Sequence, residues 1–321
     1  VSTAETPRPG PAFTTGSTLR HVTVMTATGS LGLIAVFLVD ALNLFYIAML
    51  GQQELAAAIG FAGTFQFFLI SVSIGFAIAT SALVSRALGR GARAEAASLA
   101  GAALAYTGLA SVALVALTFP FIDPLVGLLG ARGETREIAA DFLRIVLPSV
   151  PLITLGMGLS GVLRATGDAR RAMNVTLGAA FAAAILDPIL IFGFELGVYG
   201  AAIATVLSRA LLLGIGLWGV LRIHRLAALP GTGTLAASAR PFFAIALPAI
   251  LTQLATPFGN AYVTVEIASF GDEAVAGWAV IGRVLPVAFG AVFALSGAVG
   301  PIVGQNVGAG RYDRVRKTIT D

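Results

Sequence analysis

Two carboxylates lie inside apolar stretches of this chain, Asp40 in AVFLVDALNLFYIAML and Asp187 in AAILDPILIFGFELGVYGAAIATVLSR. A charged side chain within a membrane-length helix costs a few kcal/mol or more, so an acid kept there points first to function. Pro188 follows Asp187 directly. Proline has no N–H to give to the carbonyl four residues back, which leaves the oxygen of Ala184 free beside the acid. A carboxylate and a free carbonyl on one kinked helix are the parts of a site for a proton or a small cation. The stretch 183–209 reads as two apolar helices joined by a tight turn at Glu195–Gly197. Asp187 and Thr205 are equally far from that turn, roughly 13 Å below the membrane face at about 1.5 Å per residue. Arg209 is one helical turn beyond Thr205 and shares its face. Its guanidinium either reaches toward Asp187 and competes with a bound cation, or snorkels to the nearer membrane face.

The elements that must hold these groups are membrane helices. Of the 321 residues, 57% are hydrophobic and only 11% charged, with a mean hydropathy of +0.91, against about 25% charge in soluble domains. Cysteine is absent, which excludes a disulfide framework and a thiolate metal site. The formal charge of +4 and the pI near 10.0 do not point to nucleic acid, because the arginines sit in short loops where they set topology and no aromatic–basic platform accompanies them. His21 and His224 fall at the ends of different helices, and no convergent His, Ser or metal constellation lies within the apolar runs. The chain is not expected to be an enzyme, and no metal site is expected beyond sodium at Asp40, Asp187 and Thr205.

Runs of spanning length fall at about 22–50, 56–85, 96–119, 138–162, 172–194, 198–221, 242–270 and 275–305, each long enough for a bilayer at the helical rise. The segment 1–20 lacks a compact signal-peptide core, so the first run is a retained helix. Loop charges alternate. Arg86, Arg90, Arg93, Arg164, Arg170, Arg171, Arg222, Arg225 and the basic tail after 305 fall on one side; Gln52–Glu54, the mixed segment 121–137, Glu195, Asp272 and Glu273 fall on the other. The positive-inside rule makes the first side, and the N-terminus with it, cytoplasmic. Asp40 then lies about 16 Å below the outer face, near the level of Asp187 and Thr205.

The order of features LGQQELAAAIGF (50–61), helix, SRALGRGARAEA (85–96) recurs as FGDEAVAGWAVI (270–281), helix, QNVGAGRYDRVR (305–316). Whole-lobe repeats of this kind are common in transporters. The expected organisation is a cytoplasmic tail (1–21), an N-lobe of six helices (22–221), an inter-lobe loop (222–241), and the start of a C-lobe with two helices and a basic stub (242–321). On this reading the chain is a C-terminally truncated piece, inactive by itself.

The segments VDALNLFYIAMLGQQELAAAIGFA, LRATGDARRAMNV, LDPILIFGFELGVYGAAIATVLSR and PIVGQNVGAGRYDRVRKTI resemble the MATE (multidrug and toxic compound extrusion) family of cation-coupled antiporters. The resemblance implies an all-α polytopic fold of two six-helix lobes, here with a complete N-lobe and an incomplete C-lobe. It implies export of cationic amphiphilic drugs in exchange for protons or sodium, by a monomer in the inner (plasma) membrane that uses no cofactor. The family's N-lobe cation site, carried over by residue, falls on Asp40, Asp187 and Thr205. Its asparagine, four residues before the second acid, is replaced by Ala183, which tilts the expectation toward protons. The alternative is a lipid-linked oligosaccharide flippase of related fold, which would need several cations facing a cavity; only Arg209 and Arg283 lie at depth.

Overall fold

The computed structural model describes residues 11–51, 53–268, 270, 278, 281 and 288–321, and among them it has helices and no strand. Helix α1 is Thr18–Ala48, α2 Gln53–Gly89, α3 Arg93–Thr118, α4 Ile122–Leu128, α5 Gly133–Val146, α6 Val150–Thr166, α7 Ala169–Pro188, α8 Gly197–Leu217, α9 Thr232–Ala268, α10 Gly290–Gly308 and α11 Tyr312–Thr320. Eight stretches among the described residues are long and apolar enough to cross a bilayer, and they correspond in order to the eight expected runs. The chain is a polytopic, all-helical membrane protein. Gln52, Asp272, Glu273, Arg283 and most of the motif 270–281 lie outside the described residues.

The segment 121–137, expected as a loop, is helical for most of its length. Pro120 seats a 3-10 turn at Phe119–Phe121, and α4 and α5 follow with only a short break. Arg136 clamps the pair by donating from Nε and a terminal nitrogen to both carboxylate oxygens of Asp123, at 3.1 and 2.7 Å. The prolines at 148 and 151 break the fourth span into α5, a 3-10 turn at Leu147–Ser149, and α6. Pro188 ends α7 and is followed by a wide π turn, Ile189–Gly193, while a second π turn, Trp218–His224, extends α8. Such turns are uncommon and gather near functional sites.

Among the described residues, the two largest of four apolar cores separate by depth. One joins Ile47, Leu69, Ile122, Leu143, Leu147 and Ile191. The other joins Val84, Leu88, Leu159, Leu163, Val175 and Leu212 toward the face that carries the loop arginines, called here the basic face. Along α2, α6, α7 and α8 the polar side chains Ser73, Thr154, Asp187, Thr205 and Arg209 fall between the two cores. Ser73 and Thr154 share a buried hydrogen bond of 2.8 Å across α2 and α6.

At the basic face, α2 and α10 end in the same way. Gly91 and Gly310 take positive φ (74° and 69°), and the following amides of Ala92 and Arg311 return to Ala87 and Asn306. This is the double-bonded glycine stop of a helix, and the left-handed conformation favours glycine at both positions. The two stops repeat at a constant spacing, 91 against 310 and 87 against 306, and so underlie the order of features seen in the sequence. The helices meet closely there, since a Cβ on Gly89 would sit 2.0 Å from the oxygen of Gln305.

Polar groups close that face. Gln305, 1% exposed, accepts from the Phe13 amide at 2.8 Å and donates to the Ala165 carbonyl at 2.7 Å. Asn306 donates to the carbonyls of Phe13 and Ile302, while its own oxygen accepts from Arg314 at 3.0 Å. Arg314 then grips the carbonyls of Phe13, Thr15 and Gly16. The segment 11–17 is thereby sewn to α10 and α11.

Candidate functional site

Helix α1 packs along α7 and α10, α7 packs along α8, and these contacts bring the two sequence-predicted acids together. Asp187 is 1% exposed. Its Oδ2 accepts from Asn43 Nδ2 on α1 at 2.9 Å, and its Oδ1 has no hydrogen-bond partner among the described residues. A buried, ionised oxygen without a partner carries its full desolvation penalty, which is relieved by a proton or a cation. Asn43 is one turn beyond Asp40, so α1 carries both groups on neighbouring parts of one face. Asn43 is not one of the sequence-predicted site residues. The signal was there, an amide three residues after an intramembrane acid, in a helix otherwise apolar at that depth.

Asp40 is accessible to a water-sized probe, yet protein surrounds it closely, as expected for a side chain on the wall of a cleft rather than on an outer surface. The charges of Arg209 and Asp187 both act on it. It makes no hydrogen bond to a described residue. Beside it on α1, Ala41, Leu44, Phe45 and Ala48, with Ala56 of α2, line an open apolar cavity of about 410 Å³.

Arg209 adopts neither of its two expected placements. It is 7% exposed, so it does not snorkel, and its donors do not go to Asp187. They go to Gln66 Oε1 on α2 at 2.5 Å, to Ser149 Oγ at 2.9 Å and to the Val146 carbonyl at 3.3 Å. The cause lies in the broken fourth span. The amide of Val150 closes the tight turn onto Leu147, so the Val146 oxygen turns to Ser149 and to the guanidinium. Arg209 still faces Asp40 electrostatically. Thr205 lies in the same polar layer, but its hydroxyl donates to Ala201 one turn back, at 2.9 Å, the usual resort of a threonine in an apolar helix. Thus Asp40, Asp187 and Asn43 converge, with Arg209 as a neighbouring fixed charge, and Thr205 lies at their level without a hydrogen bond to either acid.

At the basic face a second polar group joins three elements. Asp168 caps α7 by accepting from the Arg171 amide at 3.1 Å, and its carboxylate also takes the Arg171 guanidinium and His224 Nε2. Arg93 donates to the His224 carbonyl. Burial alone would raise the Asp168 carboxyl. The hydrogen bonds from Arg171 and His224, together with the Arg171 charge, outweigh it and hold the group below the ordinary carboxylate value. His224 and Asp168 are 56 positions apart, so neither one's local sequence points to the other.

Fold and site together define a helical membrane protein with two acids brought together between two apolar cores. The family model described as MatE matches residues 30–189 and 248–320. The chain belongs to the MATE family. It is 31% identical over 301 residues to a FAD transporter of Shewanella oneidensis, covering 92% of this chain and 66% of that one. It is 29% identical over 289 residues to the multidrug export protein MepA of Staphylococcus aureus, covering 87% and 62%. Among solved structures, a mutant of the Vibrio cholerae MATE transporter VcmN superposes with a TM-score of 0.88 at 28% identity, over 94% of this chain and 69% of that one. The chain therefore spans about two-thirds of the length of the relatives it matches.

Proposed function

We propose that the protein is a secondary active antiporter that exports cationic amphiphilic compounds in exchange for protons. The observation that carries this reading is the Asp187 carboxylate, buried with one oxygen unpartnered among the described residues and the other held by an amide from a different helix. A group in that condition takes up a cation when α1 and α7 are arranged as here, and its neutralisation changes what α1 gains from staying against α7. Asn43 donates an N–H to the carboxylate, Ala183 offers no side-chain oxygen, and the Thr205 hydroxyl bonds to its own helix and to neither acid. A sodium ion takes its ligands from oxygen, so this donor set favours the proton. The substrate class rests on the cavity that begins at Ala41: its walls are apolar, and Asp40, an accessible acid, is next in sequence to that lining residue.

The repeated helix stops of α2 and α10 support an N-lobe of six helices (22–221) and a second lobe beginning near 242. The loop arginines support a cytoplasmic basic face in the inner membrane; the protein is taken as a monomer. The flippase alternative calls for cations free to meet a pyrophosphate, whereas Arg209 is bound to Gln66, Ser149 and Val146.

The test is dye efflux from vesicles carrying the full-length natural protein, with proton and sodium gradients imposed separately. Efflux driven by the proton gradient and lost in Asp187→Asn is the expected outcome. Efflux that survives the substitution would remove Asp187 from the mechanism.

A further inference from the structure

The basic-face end of α2, the start of α3 and the first turns of α9 enclose a second cavity, of about 770 Å³, remote from the acid centre. At its mouth stand Arg86, Arg90 and Thr234, with Ser98 bonded to Thr234 at 3.3 Å. Arg90 is paired with Glu95 at 2.7 Å. Arg86 is exposed and has no hydrogen-bond or ion-pair partner among the described residues. The N-terminal turn of α9 adds its positive dipole end, since Gly233 and Thr234 line the same mouth. Below them the walls become apolar: Leu83 and Leu99 on one side, Ala244 and Ile245 on the other. From Gly233 to Ile245 is about 18 Å along the helix, which takes the cavity from headgroup level into the hydrocarbon.

We propose that this cavity binds an anionic phospholipid from the basic-face leaflet, with its phosphate at Arg86 and its acyl chain along Leu83, Leu99, Ala244 and Ile245. A free phosphate or nucleotide would use the mouth and have nothing to fill the apolar depth. A lipid matches both parts, and basic pockets between membrane helices on the cytoplasmic side bind such headgroups. Because α9 follows the loop that joins the first six spans to the seventh, the bound lipid would brace α9 against α2 and α3.

The experiment is native mass spectrometry of the detergent-purified, full-length protein with phosphatidylglycerol or phosphatidylcholine added separately, and with inorganic phosphate added alongside phosphatidylglycerol. Phosphatidylglycerol is expected to remain bound where phosphatidylcholine does not. Arg86→Gln is expected to weaken it about fivefold, the effect of one basic residue at an anionic headgroup. Ala244→Trp, which fills the apolar depth, should weaken it as well, and Arg222→Gln, on the same face outside the cavity, should not. Equal phosphatidylglycerol binding by wild type, Arg86→Gln and Ala244→Trp would overturn the proposal. So would inorganic phosphate competing fully with the lipid at Arg86, which would make the site one for free anions. Should Arg86→Gln fail to fold, Arg86→Lys (expected to retain the lipid) and Ala244→Trp carry the same comparison.

Discussion

Two buried polar clusters in this protein differ in how completely their members are satisfied. At the basic face Gln305 and Asn306 use both ends of their amides, and Arg314 bonds to Asn306 and to backbone carbonyls of 13–16. At mid-depth, among the described residues, Asp187 leaves one oxygen empty, and Asp40 has charges near it but no hydrogen bond. A complete network resists change, because any movement opens groups that were closed. An incomplete one invites it, because something can be added without breaking a bond already made. The first cluster suits a seal and the second suits a binding event.

The comparison breaks most sharply at Asp187. Asp187→Asn is expected to reduce proton-driven efflux to the level of empty vesicles, while thermal unfolding in detergent moves little, since the lost charge was half unsatisfied. A large drop in unfolding temperature would instead make Asp187 structural. Next comes Gln305→Leu, which strands the Phe13 amide and the Ala165 carbonyl. A loss of roughly 1–3 kcal/mol for each stranded group is expected, read as a lower unfolding temperature. The chain has no cysteine, so a single thiol introduced at Ala165 reports the opening: it should label faster with maleimide in the Gln305→Leu background.

Two smaller effects sharpen the contrast. Asn43→Ala is expected to displace the pH profile of efflux, because it removes the one donor to Asp187 among the described residues, whereas Thr205→Val should leave the profile in place. Identical profiles for all three proteins would separate Asn43 from the coupling acid. The smallest effect is at the Asp168 cap, where Asp168→Ala should cost about 1 kcal/mol at neutral pH. The sign follows from a folded-state carboxyl held below its ordinary value. Its contribution is fully present above the unfolded value near 4 and fades as the pH falls below it. Stability of the alanine variant should therefore converge on wild type in acid, and a constant gap would assign the cost to something other than the carboxylate.

How far the sequence reached depends on the range of the interaction that fixes each feature. The spans were legible because a bilayer of fixed thickness demands a run of fixed length. The shared depth of Asp40 and Asp187 followed from counting residues to a turn. The helices of 121–137 were not legible, since the clamp of Arg136 on Asp123 is a tertiary choice among several charged residues in a polar stretch. The partners of Arg209 were hidden for a similar reason: Gln66 is 143 positions away, and Val146 became available only through the tight turn made by a broken helix. Gln305 was visible as a polar residue in an apolar run, but nothing local names Phe13, 292 positions earlier, as its partner.

The π turns after Pro188 and at the end of α8 have a mechanical consequence. A wide turn holds one residue more than its neighbours, much as a dislocation holds an extra half-plane in a crystal. Like a dislocation, it can glide: passing the surplus one residue along exchanges a single hydrogen bond at a time and turns the segment it crosses by about 100°. Asp187 stands two residues before the first of these turns. The helix that carries the acid therefore has a way to rotate it out of the bundle's centre while the rest of the hairpin stays packed.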